Sequence, residues 1–158
     1  MATDSKKCYR IKLQYLHQCE DCTSKCDRQG KRFSFYPQLC TIAQKGLGPL
    51  CDAYERVISD KRIILIIDYP LTKRAFFTKE SDHGFTRGEI VQWIADSYAK
   101  IYREEEEVSK PVPIEQRGPL LNRPRTYGPW GIWGHDFSDL VLGGLSYDNG
   151  QVIIEINS

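Results

Sequence analysis

The amino-acid sequence predicts a single α+β domain, in which a mostly antiparallel sheet carries one long amphipathic helix on a face and closes with a C-terminal β-hairpin. Three observations carry that prediction. Residues 9–16 alternate apolar and polar side chains with the two-residue period of a strand. Thr86-Arg87-Gly88-Glu89 has the pattern of a capping box, and apolar residues then recur at helical spacing. Asn149-Gly150 divides two strand-like segments, and this pair favours a tight hairpin because both turn residues need positive φ.

The alternation in the first segment places Tyr9, Ile11, Leu13 and Tyr15 on one strand face. Residues 17–30 are polar and bear cysteines, and residues 31–36 alternate again, so the two strands read as a hairpin with a long loop. Residues 38–60 have partial helical character. Gly46, Gly48 and Pro49 break it, which predicts two short helical pieces, the second near residues 50–59. Residues 62–68 contain the run Ile63-Ile64-Leu65-Ile66-Ile67, too continuous for a sheet face open to water, so a buried strand is expected. Pro70 marks a turn, and residues 73–78 form the strand that pairs back. From Thr86 the helix is expected to run to about residue 106 through Ile90, Val91, Ile94, Tyr98, Ile101 and Tyr102, close to about 30 Å at the standard rise. Its acidic end, Glu104 to Glu107, opposes the helix dipole at a cost of about a few tenths of a kcal/mol, which a basic partner would offset. Residues 109–131 hold five prolines and no clear period, so they form a long Pro/Gly-rich loop, and ordered loops of this length often serve function.

A chain of 158 residues matches the usual size of one domain and buries enough surface to fold without disulfides. With 41% hydrophobic and 27% charged residues, wholesale disorder is excluded. A net charge of +1 argues against a polycation that holds nucleic acid by charge alone. The acidic run at Glu104 to Glu107 and the basic series Arg117, Arg123 and Arg125 are expected to be solvated surface. The polar N-terminus shows no signal-peptide pattern and no apolar run can span a bilayer. The expectation is a cytoplasmic chain with no membrane partner, whose cysteines are reduced or metal-bound.

Three segments could carry chemistry. In the first, Cys19 and Cys22 form a Cys-x2-Cys pincer suited to tetrahedral zinc, with Cys26 or His17 as a third ligand and Cys8 or Cys40 as a fourth. No second pincer follows, so a loop of ordinary thiols competes with a structural zinc site, and a redox pair is a third reading. Cys40 and Cys51, by contrast, are expected to pack as small hydrophobes. The second segment, residues 127–139, sets Gly128, Gly131 and Gly134 three residues apart among Tyr127, Trp130 and Trp133, followed by His135, Asp136 and Asp139. The imidazole and the two carboxylates are candidates for a hydrolytic site. Against this, neighbours on extended chain point to opposite faces, and the competing reading has the tryptophans in the core and the aspartates as turn formers. In the third, Arg123 and Arg125 with Tyr127, Trp130 and Trp133 could hold phosphates and stack bases, although a proline-rich loop docked on its own domain has the same composition. No phosphate-binding glycine loop, nucleophile elbow or His-Glu-x-x-His pattern is present.

Asp68-Tyr69-Pro70-Leu71, Gly84-Phe85-Thr86-Arg87-Gly88-Glu89 with Tyr98-Ala99-Lys100-Ile101-Tyr102-Arg103-Glu104-Glu105, and Gly131-Ile132-Trp133-Gly134-His135-Asp136 with Asp139-Leu140 form a set of motifs. Together they resemble a family of small uncharacterised proteins encoded by large double-stranded DNA viruses of the marseillevirus and mimivirus type, over roughly residues 62–148. The resemblance implies a setting, the infected cell or the virion, and no catalytic residues. The expected function is a non-catalytic interaction or structural protein that binds a macromolecule or itself, as a homodimer. A small hydrolase-like enzyme using His135, Asp136 and Asp139 is the first alternative. A nucleic-acid binder using residues 122–133 is the second.

Overall fold

The computed structural model describes residues 7–16, 32–33 and 36–158. Strands β1 (Cys8–Arg10), β2 (Tyr15–Leu16) and β3 (Arg32–Phe33) precede helix α1 (Leu39–Lys45). Strands β4 (Arg56–Ile58), β5 (Arg62–Ile67), β6 (Ala75–Glu80) and β7 (Phe85–Thr86) lead into helix α2 (Arg87–Val108). Strands β8 (Val141–Asp148) and β9 (Gln151–Asn157) close the chain. The main sheet has five strands in the order β1-β8-β9-β5-β6. Every neighbouring pair is antiparallel except β5 with β9. This is the α+β arrangement that the patterning predicts.

Helix α2 begins where the capping box places it. Thr86 Oγ1 accepts from the Glu89 amide at 3.2 Å, and Glu89 Oε2 accepts from the Thr86 amide at 2.7 Å. The helix runs two residues beyond the predicted end and buries Ile90, Val91, Ile94, Tyr98, Ile101 and Tyr102 in one cluster with Ile63, Leu65 and Ile67 of β5. The C-terminal hairpin turns through Asn149 at φ 44° and Gly150 at φ 91°, both positive as the pair requires. In the first segment Ile11, Leu13 and Tyr15 are buried, while Tyr9 stays partly exposed and its ring lies 5.4 Å from that of Tyr147. Tyr15 pairs with Phe33 in antiparallel register, as the hairpin reading requires.

Two expectations are corrected. Residues 50–59 do not form a helix. They form a turn, with Asp52 at φ 54°, followed by β4, which pairs with β7. The reason lies in the start of α2. The Arg87 amide takes the Glu55 carbonyl at 2.9 Å, the Gly88 amide takes that of Ala53 at 2.8 Å, and Arg87 Nη1 takes that of Asp52 at 2.7 Å. Carbonyls that a local helix would use internally instead satisfy the first-turn amides of the long helix, which have no acceptor within it. The second correction concerns β5, where Ile63, Leu65 and Ile67 are fully buried but Ile64 and Ile66 are only half-buried. Helix α2 covers one face of the sheet, and no described element covers the other.

Candidate functional site

The last turns of α2 hold the most unusual polar group of the fold. Tyr98, Ile101 and Tyr102 lie on the buried stripe of the helix, and the next residue on that stripe is Glu105. Its carboxylate is fully buried. The Pro/Gly-rich loop wraps around it. Thr126 Oγ1 donates to Oε1 at 2.7 Å and the Gly128 amide at 2.9 Å. The Trp130 amide donates to Oε2 at 2.7 Å, and the Gly131 amide reaches both oxygens at 3.1 and 3.2 Å. Burial alone would raise the pKa of this carboxyl, but the donated hydrogen bonds from Thr126, Trp130, Gly128 and Gly131 outweigh it and hold the group below its ordinary range.

Glycine is required in this wrap. A Cβ on Gly128 would stand 2.7 Å from Glu105 Oε2 and 3.0 Å from its backbone oxygen. The remaining loop groups tie down the other side. The Trp130 indole donates to Glu104 Oε2 at 3.1 Å, and Thr72 Oγ1 donates to the Gly131 carbonyl at 2.8 Å. Successive backbone amides bent into a concave cup are the usual cradle for an anion. Here the chain's own carboxylate occupies the cup.

A second polar cluster flanks the first. Arg117 and Asp136 form a close ion pair, in which Arg117 Nη2 donates to Asp136 Oδ1 at 3.1 Å. Arg123 Nη1 donates to Glu106 Oε1 at 2.9 Å and lies 3.5 Å from Asp136 Oδ1. The Arg123 side chain is 0% exposed and its guanidinium lies 5.2 Å from the centre of the Tyr102 ring. Its Nε and Nη2 have no hydrogen-bond partner among the described residues, which leaves that ring as compensation for their burial. The ion pair with Arg117 keeps the Asp136 carboxyl below its ordinary range despite partial burial. The charge runs expected to be solvated surface are so only in part: Glu107 and Arg125 are exposed and Glu104 and Glu106 are half-buried and bonded to the loop, whereas Glu105 and Arg123 are buried and Arg117 is enclosed by its partners.

The structure separates the three candidate catalytic residues. Asp136 faces the two arginines. Asp139 Oδ2 accepts from the Asp136 amide at 2.8 Å and closes the short 3-10 turn Phe137–Asp139. His135 turns the other way, with Nε2 3.2 Å from Ser158 Oγ and its ring 5.8 Å from that of Tyr69. The Tyr69 hydroxyl is 3.0 Å from the same Ser158 oxygen, and Tyr69 meets Trp133 edge to face at 5.3 Å. Of the candidate binding residues, Trp130 is half-buried against the core, whereas Trp133 at 41% and Tyr127 at 78% are exposed. The Arg125 guanidinium lies 5.1 Å from the Tyr127 ring. Sequence reasoning missed Glu105 as a functional position, although its spacing of four from Ile101 and seven from Tyr98 places it on the apolar stripe.

His17, Cys19, Cys22 and Cys26 lie outside the described residues. Cys8 is exposed, Cys40 half-buried and Cys51 buried. No group of three or more His, Cys, Asp or Glu side chains among the described residues is placed to hold a metal ion. No helix among them is long and apolar enough to cross a membrane. No protein-family model matches the chain, and neither curated proteins nor solved structures give a match.

Proposed function

We propose that this chain is a non-catalytic interaction protein, which binds another macromolecule or a second copy of itself, in the infected-cell or virion setting that its motifs suggest. One observation carries the reading. The glycine-rich loop, which looks like a ligand cradle, spends its amides on Glu105, and the charged groups beside it, Arg117, Arg123, Asp136 and Asp139, are bonded to one another or to the backbone. A reacting site needs groups free to meet a substrate, and this cluster is consumed in holding the loop to the helix. What it leaves outside is a set of aromatic rings, Tyr127 and Trp133, on a rigid frame. Exposed aromatics on such a frame suit contact with a partner.

The test is a screen of the purified protein against esterase, phosphatase and nuclease substrates beside His135→Ala. The expected outcome is no turnover that distinguishes the two proteins. Turnover by the natural chain that disappears in a folded His135→Ala variant would replace this reading with a hydrolytic one, since His135 and Ser158 share a hydrogen bond.

A further inference from the structure

Strand β6 lies at an edge of the main sheet and, among the described residues, pairs only with β5. The Ser81 amide donates to the Lys61 carbonyl at 2.8 Å, in line with the β5–β6 register. In an antiparallel pair alternate residues carry the ladder, so the odd-numbered residues of β6 bond to β5. The N–H and C=O groups of Phe76, Thr78 and Glu80 point to the outer edge, where no described residue pairs with them. The strand has no proline and no bulge, two of the devices that blunt an edge, and its one lysine, Lys79, lies over the Trp93 ring of α2 at 5.7 Å. Its side chains add to the opportunity. Phe76 is 62% exposed on the uncovered face of the sheet, which also carries Ile64, Ile66 and Ile153.

We infer that β6 is a self-association edge, along which two copies of this chain pair antiparallel about a two-fold axis and join their sheets into one. Side-chain parity restricts the register, because residues opposite each other must share a face. With Phe77 opposite Phe77 of the second copy, Phe76 and Thr78 exchange ladder bonds across the axis, and Arg74 lies opposite Glu80 on the same face, twice by symmetry. With Thr78 opposite itself, Phe76 would face the carboxylate of Glu80. Charge complementarity selects the first register. Both residues are free to take this role: Arg74 meets Asp68 only at 3.9 Å, Glu80 meets Arg62 only at 3.7 Å, and all four side chains are largely exposed. The uncovered face then presents a continuous apolar band, in which Phe76 of each copy lies diagonal to the other.

The inference rests on the reading of the chain as an interaction protein, but it fails separately. Sedimentation equilibrium of the full chain is expected to show a dimer. Thr78→Pro removes only an outward N–H and leaves the ladder to β5 intact, so it should give a folded monomer at concentrations where the natural chain is dimeric. Arg74→Glu and Glu80→Arg should each weaken the dimer by about tenfold, and the double swap should restore it. If Thr78→Pro fails to fold, the swap series and Phe76→Lys decide the matter alone. Concentration-dependent amide-exchange protection at residues 76–80 should accompany the dimer. A natural chain that stays monomeric, or a dimer unmoved by these variants, overturns the β6 edge. Either result leaves the non-catalytic reading standing, which only turnover lost in His135→Ala removes.

Discussion

At the residue scale, Glu105 explains why a loop of prolines and glycines keeps one shape. A buried carboxylate that accepts several amides is stable because each donor would otherwise be left without a partner. Glu105→Ala orphans the Gly128, Trp130 and Gly131 amides together and leaves the Thr126 hydroxyl only the Ile132 carbonyl, at 3.3 Å. The expected loss is at least about 3 kcal/mol, read as a shift in the urea midpoint. Glu105→Gln should fall between the two, since its amide group presents hydrogens to donors that need an acceptor. Gly128→Ala tests the geometry of the wrap: its Cβ collides with the carboxylate and the backbone of Glu105, for an expected cost of about 1–3 kcal/mol. Gly118→Ala in the same loop meets nothing within 4 Å and should stay within about 0.5 kcal/mol of the natural chain. Equal effects at the two glycines would show that the cup is not what holds the loop.

At the element scale, the capping box should be worth about 1 kcal/mol, lost in Thr86→Ala and measured by thermal unfolding. That start of α2 was legible because all of its signals are local: Thr86, Glu89 and the apolar spacing lie within a few turns of one another. The Asn149-Gly150 hairpin was legible for the same reason, since a two-residue turn is specified by its own φ preferences. Residues 50–59 were not. Their helical composition loses to acceptors demanded by Arg87 and Gly88, more than thirty residues away, and nothing in the segment itself announces that demand. The acidic end of α2 misled in a related way. Four glutamates in a row read as solvent-facing, yet the helical period assigns only one of them to the inner face, and the loop groups that satisfy it start about twenty residues later, at Thr126. The divergence of His135 from Asp136 was foreseeable from extended-chain geometry, but the arginines that capture Asp136 were not, because Arg117 and Arg123 reach it only through the folded loop.

At the scale of the whole molecule, these carboxylates make acid the condition that should unfold the chain first. Glu105, Asp136 and Asp60 are each held below their ordinary values of 4.5, 3.8 and 3.8 by bonds that exist only in the fold. For Asp60 the donors are Lys7 and Tyr147. A carboxyl whose folded pKa is depressed stabilises the fold fully above its unfolded pKa, and that stability is lost as pH falls through the folded value. Tyrosines give the opposite limb. Burial pushes Tyr15 and Tyr147 up to about 12 from the ordinary 10.0, so their contribution is complete below pH 10 and is lost as pH rises toward 12. Urea midpoints across pH should therefore show a plateau at neutral pH with a fall on each side. Glu105→Gln separates the local from the general cause of the acid limb. It has no proton to gain at position 105, so it should start less stable at neutral pH and lose less on acidification than the natural chain. Parallel acid limbs in the two proteins would mean that Glu105 is not the group whose protonation releases the loop, and the wrap would then have to be held by the arginine cluster around Asp136.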